Sequence, residues 1–274
     1  MTPETPDQAS AATRTPGSDS EPVLELRGIN KRFGAVQALT DINLSVGRGE
    51  VVGLVGDNGA GKSTLIKVIA GVHAADEGEL IMNGTAQRFS SPKDAQRAGV
   101  ATVFQDLALC ENLDVVANLF LGHEKTRGGV LDEVSMEAKS WELLRSLSAK
   151  IPSVRVPIAA LSGGQRQTVA IARSLLGEPS LVMLDEPTAA LGVAQTAEVL
   201  NLIERLKERD LGVLLVSHNM ADVQAVCERV HVLRLGKDAG DFPGDERTDV
   251  LVAAITGASD NVVTKRAARR GERR

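Results

Sequence analysis

The stretch VVGLVGDNGAGKST, residues 51–64, restricts the fold of this chain more than any other. Val51–Val55 reads as a short apolar strand, and the residues from Lys62 to Ala70 have the spacing of a helix. Between them Gly56-Asp57-Asn58-Gly59-Ala60-Gly61-Lys62-Ser63 fits G-x-x-x-x-G-K-[ST]. Glycines let a backbone curl until consecutive N–H groups face the same oxyanion. Strand, glycine loop and helix together therefore read as a phosphate cradle. Lys62 is placed to reach the outer phosphates, and the Ser63 hydroxyl to hold Mg2+.

A cradle of this kind needs acids at the same sheet edge. The apolar run SLVMLD delivers Asp185 and Glu186 at the end of a second strand. That is where open α/β sheets bind ligands. Asp185 is the expected Mg2+ ligand, directly or through water, and Glu186 the expected general base for an attacking water. Two more polar residues end apolar strands: Gln105 after VATVF, able to reach Mg2+ or water, and His218 after GVLLVS, able to orient Glu186. Phe33 offers a ring for an adenine base. His73, His123 and His231 have no ligand-like spacing and read as surface or strand-end residues.

A second anion seat lies about a hundred residues downstream. In LSGGQ, Ser162, Gly163 and Gly164 precede a helix, where free N–H groups and the helix dipole favour negative charge. The alternation of strands and helices predicts an α/β fold: a P-loop core with a mostly parallel sheet and N-terminal antiparallel β elements. From about Leu107 to Ile158 the pattern is helical with no clear strand, predicting a helical insert. Residues 1–21 lack apolar periodicity and read as a disordered tail, and 258–274 as a basic tail.

Composition narrows the partners. A net charge of −5, only 2% aromatics and no Tyr argue against nucleic acid. Two isolated cysteines fit a reducing compartment, and no apolar run is long enough to span a membrane. The expected location is cytosolic, with any membrane role supplied by a partner.

Taken together, these residues resemble the ATP-binding subunit of ABC transporters over residues 22–257, with a helical subdomain at about 107–177. GDNGAGKS looks like the Walker A motif and LVMLDE like Walker B. Gln105 matches the Q-loop, LSGGQ the signature, His218 the switch histidine and Phe33 the A-loop aromatic. The resemblance implies ATP and Mg2+ as cofactors, with Gly56 to Ser63 and Thr64 around the phosphates. It also implies a head-to-tail dimer in which Ser162, Gly163, Gly164 and Gln165 meet the partner's nucleotide. FQDLALCENLDVVANLFLG and DEPTAALGVAQTAEVL are similar to the single-cassette monosaccharide importers. That branch implies a membrane permease docked near Asp106–Glu124, a sugar-binding protein acting indirectly, and a peripheral position on the cytoplasmic face of the membrane. Another solute, or a soluble ABC ATPase, is the alternative. Gly192 stands where the family commonly has the D-loop aspartate.

Overall fold

The computed structural model describes residues 21–258, so the expectations for the two tails lie almost wholly outside the described residues. The chain opens on an antiparallel hairpin, β1 (Leu24–Phe33) and β2 (Val36–Val46), followed by β3 (Val51–Val55) and α1 (Lys62–Ile69). Strands β4 (Glu77–Met82) and β5 (Thr85–Gln87) return to the hairpin, giving an antiparallel sheet of order β2-β1-β4-β5. Next come α2 (Pro92–Arg97) and β6 (Val100–Val103).

The helical stretch follows, with α3 (Val115–Phe120) and α4 (Glu133–Ser146). It also contains a hairpin of β7 (Thr126–Arg127) and β8 (Val130–Leu131), so the expectation of no strand there is corrected. The cause is local: Gly128 and Gly129 both take positive φ, the geometry of a two-residue hairpin turn. Beyond it lie α5 (Gly163–Ser174), β9 (Leu181–Asp185), α6 (Val193–Glu208) and β10 (Gly212–Val216). The chain continues through α7 (Met220–Val226), β11 (Arg229–Arg234), β12 (Lys237–Pro243) and α8 (Thr248–Thr256).

Among the described residues, six strands form the central sheet in the order β12-β11-β3-β10-β9-β6. All neighbours are parallel except β12, which runs back against β11. The α/β expectation holds, including the antiparallel N-terminal elements. Apolar runs such as VVGLV make sense here, because a parallel sheet is covered on both faces. Val51 and Val55 of β3 enter one core, lined by α3 to α8, while Val52 and Leu54 enter a second core with α1 and the antiparallel sheet. Val213 and Leu215 of β10 divide from Leu214 and Val216 in the same way. Fully burying such a side chain contributes about 1.5–3 kcal/mol, and this clamps the strands that carry the site.

One histidine departs from its expected place. His231 lies in the middle of β11 and is only 1% exposed, neither at the surface nor at a strand end. Its two ring nitrogens lie 3.1 Å from carboxylate oxygens of Asp241 and Asp238, both on β12. Asp238 and Asp241 are three residues apart, so alternation alone would send them to opposite faces. The register shifts at Ala239, between the Val232–Gly240 and Leu233–Asp238 pairs, and both acids reach His231. Single-residue spacing around His231 could not reveal this.

Candidate functional site

Strand register gathers the site. Val216 pairs with Leu54 on one side and Asp185 on the other, and Val103 pairs with Leu184. The carboxyl ends of β3, β10, β9 and β6 therefore lie along one edge. The glycine loop, His218, Asp185 with Glu186, and Gln105 all leave from that edge.

The loop after β3 is built around three constraints. A Cβ on Gly56 would lie 2.3 Å from the Leu233 carbonyl oxygen, and one on Gly61 would lie 2.9 Å from Leu39 Cδ2. Gly61 has φ 106° and caps α1 with free backbone N–H groups. Lys62 folds back over the loop, its Nζ donating to the Gly56 carbonyl at 2.7 Å and the Asp57 carbonyl at 3.1 Å. These are carbonyl contacts that a triphosphate would replace. The turn between β11 and β12 closes the loop from behind, since Gly236 N–H donates to the Ala60 carbonyl at 3.0 Å. Residues 57–64 then line a cleft of about 390 Å³ with Val36, Gln37, Ala38, Leu235 and Gly236, a size usual for small-molecule sites.

Asp185 and Glu186 differ in surroundings. Burial pushes the Asp185 carboxyl above its usual range, neighbouring Glu186 adds to that, and Lys62 and Lys67 pull the other way. The Asp185 carboxylate and the Ser63 hydroxyl are both oxygen donors, the chemistry that would suit Mg2+. Glu186 has φ 52°, an uncommon left-handed backbone for a side chain of its size. The twist aims its carboxylate at His218: Oε2 lies 2.7 Å from Nδ1. The Glu186 side chain is 16% exposed and that of His218 is 75% exposed, so the pair faces outward from the edge.

Two expected residues stand apart. Gln105 is exposed and lies two residues past β6, which ends at Val103 and not at the glutamine. No hydrogen bond joins it to Asp185 or Glu186 among the described residues. Phe33 is 44% exposed at the end of β1, and its ring meets His73 edge-on at 5.1 Å. It stands beside the cleft, whereas Val36, its partner across the β1–β2 turn, lines the cleft directly.

The LSGGQ loop has an internal architecture. Ser162 Oγ accepts from Gln165 N–H at 3.3 Å, and Gln165 Oε1 accepts from Ser162 N–H at 2.9 Å. This is a capping box at the start of α5. The S-x-x-Q spacing carried that signal, so Gln165 has a role in holding its own loop. Its amide nitrogen also donates to the Lys150 carbonyl at 2.8 Å. Gly163 and Gly164 leave room for Leu191 Cδ2 and Gln195 Cβ, which a Cβ at either glycine would meet at 2.8 and 3.2 Å.

A glycine cradle on a mainly parallel sheet, with acids and a histidine along its carboxyl edge, defines a nucleotide-binding α/β ATPase. The chain belongs to the ABC transporter family, whose profile matches residues 39–189. It is 45% identical to the xylose/arabinose import ATP-binding protein of Sulfolobus acidocaldarius, covering 78% of this chain and 86% of that relative. It is 41% identical to the fructose import ATP-binding protein of Rhizobium meliloti, covering 88% and 96%. Against an arabinose import ATP-binding protein of Burkholderia cenocepacia it is 39% identical over 94% of this chain but spans only 51% of that longer relative. Among solved structures it resembles the ADP conformation of an ATP-binding cassette of an ABC transporter, at 26% identity and TM-score 0.75, covering 90% of this chain and 98% of that one. It also resembles a dimeric cassette bound to ADP and Pi in a post-hydrolysis state, at 25% identity and TM-score 0.67, covering 82% and 100%.

Proposed function

We propose that this chain hydrolyses ATP to drive uptake of a monosaccharide through a separate membrane permease. The observation that carries the chemistry is the Glu186–His218 pair, held 2.7 Å apart at the edge where the glycine cradle opens. In this reading the backbone N–H groups of Gly56 to Thr64 and the Lys62 ammonium bind the phosphates. Ser63, Asp185 and Gln105 hold Mg2+, which when bound neutralises phosphate charge. Glu186 takes the proton of the attacking water, and the His218 Nδ1–H donates to its carboxylate and fixes its direction. Phe33 and Val36 border the base. The sugar assignment rests on the relatives, which are named for xylose, arabinose and fructose import.

The same reading places a second ATPase subunit across the nucleotide, so that Ser162 to Gln165 of each copy face the other's γ-phosphate. A dimeric relative supports it. The permease would dock on the groove beside α3, where Phe104 and Leu121 are exposed and Arg173 donates to the Leu107 and Ala108 carbonyls. No described helix is long and apolar enough to cross a membrane; the reading as an import ATPase subunit puts the chain at the cytoplasmic face, held there by the permease. A sugar-binding protein would act through the permease, without touching this chain.

Affinity capture of the tagged chain from detergent-solubilised native membranes tests the assignment. A polytopic permease recovered with a sugar-binding protein is the expected result. Recovery of ribosomal proteins without any membrane protein would overturn it.

The signature loop gives a second test, because its fold and its proposed contact can be separated. Ser162→Ala removes the cap and costs about 1 kcal/mol, whereas Ser162→Gly costs only a few tenths. Thermal melts should therefore rank wild type, Ser162→Gly, then Ser162→Ala. ATP hydrolysis should fall in both variants, since both lack the hydroxyl facing the partner's nucleotide. Full activity in Ser162→Gly would remove Ser162 from the site.

A further inference from the structure

Asp222 is a buried acid, 5% exposed, with no part in the reaction as described above. It sits in the first turn of α7, four residues after His218. Its Oδ2 accepts a 2.6 Å hydrogen bond from the Thr188 hydroxyl, two residues after Glu186. The segments that follow β9 and β10 are thus joined twice, at Glu186–His218 and at Thr188–Asp222.

Two joints do what one cannot. A single hydrogen bond between an exposed imidazole and a carboxylate leaves both side chains free to pivot. Glu186 is also held in a left-handed backbone, and such a conformation persists only where its surroundings over-determine it. Three bonds bracket it: Glu186 N–H donates to the Val216 carbonyl at 2.9 Å, Ala189 N–H donates to the Glu186 carbonyl at 3.1 Å, and Leu191 N–H donates to the Thr188 carbonyl at 3.2 Å. Of the side chains in this turn, Thr188 is the one tied to α7, the helix that begins just after His218. At its far end the turn reaches Leu191, which occupies the space beside Gly163 of the signature loop.

We infer that Thr188 and Asp222 are positioning residues for hydrolysis: their hydrogen bond sets the turn that aims Glu186 at His218. The inference rests on the proposed reading of Glu186 as the base. Neither residue lines the cleft at the glycine loop, so their loss should lower turnover and leave ATP binding alone.

Thr188→Val keeps the shape of the side chain and removes the donor. Its kcat should fall about tenfold with KM for ATP within twofold of wild type. Thr188→Ser restores the donor and should recover most of that loss. Asp222→Asn, a second variant that preserves volume, weakens the acceptor and should lower kcat at unchanged KM. Full turnover in Thr188→Val overturns the inference. So does a rise in KM matching the fall in kcat, because that pattern marks general disruption of the site. If Glu186→Gln hydrolyses ATP as fast as wild type, the reading of Glu186 has failed, and the Thr188 series is not needed to show it.

Discussion

Glu186→Gln should bind ATP as well as wild type and hydrolyse it slower by on the order of 10³-fold, within the range ascribed to general-base catalysis. The substitution is narrow in its effect. A glutamine oxygen still accepts from His218 Nδ1–H, so the 2.7 Å contact can survive. What disappears is the proton acceptor, because an amide cannot take a proton from water. The Lys62 side chain and the glycine loop are untouched, which leaves the phosphate seat intact. With binding preserved and hydrolysis stopped, the state in which ATP joins two subunits should accumulate. Light scattering with saturating Mg-free ATP should report a dimer. A monomer under those conditions would remove the reading of LSGGQ as a site for the partner's nucleotide, and normal turnover would remove Glu186 as the base.

How much of this was legible in the sequence depends on the range of the interactions involved. The glycine cradle could be read because its conformation is set by its own residues: glycine at Gly56 and Gly61 is demanded by close backbone and side-chain neighbours. The central strands were equally plain, since burial on both faces writes an unbroken apolar run. Four features escape a local reading. The β7–β8 hairpin is only two residues per strand, too short for alternation, although Gly128-Gly129 marked its turn. The capping box lies inside a motif that also reads as an anion seat, and that second reading masks the Ser162–Gln165 exchange. Thr188 and Asp222 are 34 residues apart and meet only because β9 and β10 are sheet neighbours. No local spacing encodes that contact. Nor does any encode His231, whose partners arrive from the antiparallel return of β12.

His231 should make the fold sensitive to alkali. Burial alone would push its imidazole pKa down, but the hydrogen bonds its ring N–H groups donate to Asp238 and Asp241 outweigh that and raise it to about 9. The charge is anchored on every side. Asp241 also pairs with Arg229 at 2.9 Å, Arg229 reaches Glu50 at 3.1 Å, and Asp238 Oδ2 accepts from Asn43 N–H at 2.8 Å. β12 is thereby tied to β11 and to β2, and the turn between β11 and β12 is the one that closes the glycine loop through Gly236. A folded-state pKa above the ordinary histidine value of about 6.5 means that folding stabilises the protonated form. This contribution is fully present below about pH 6.5 and is lost as pH rises through about 9. Removing one partner of a fully buried pair costs about 3–5 kcal/mol. Asp241 is 41% exposed and keeps Arg229, so about 2–3 kcal/mol is the reasonable expectation for His231→Gln at pH 7. Urea unfolding at pH 7 and pH 10.5 checks it. The gap between wild type and variant should close at the higher pH, where the wild-type imidazole is neutral, and the subtraction cancels other groups that titrate there. A gap that stays the same at both values would mean that His231 holds β12 by shape and hydrogen bonding, without its charge.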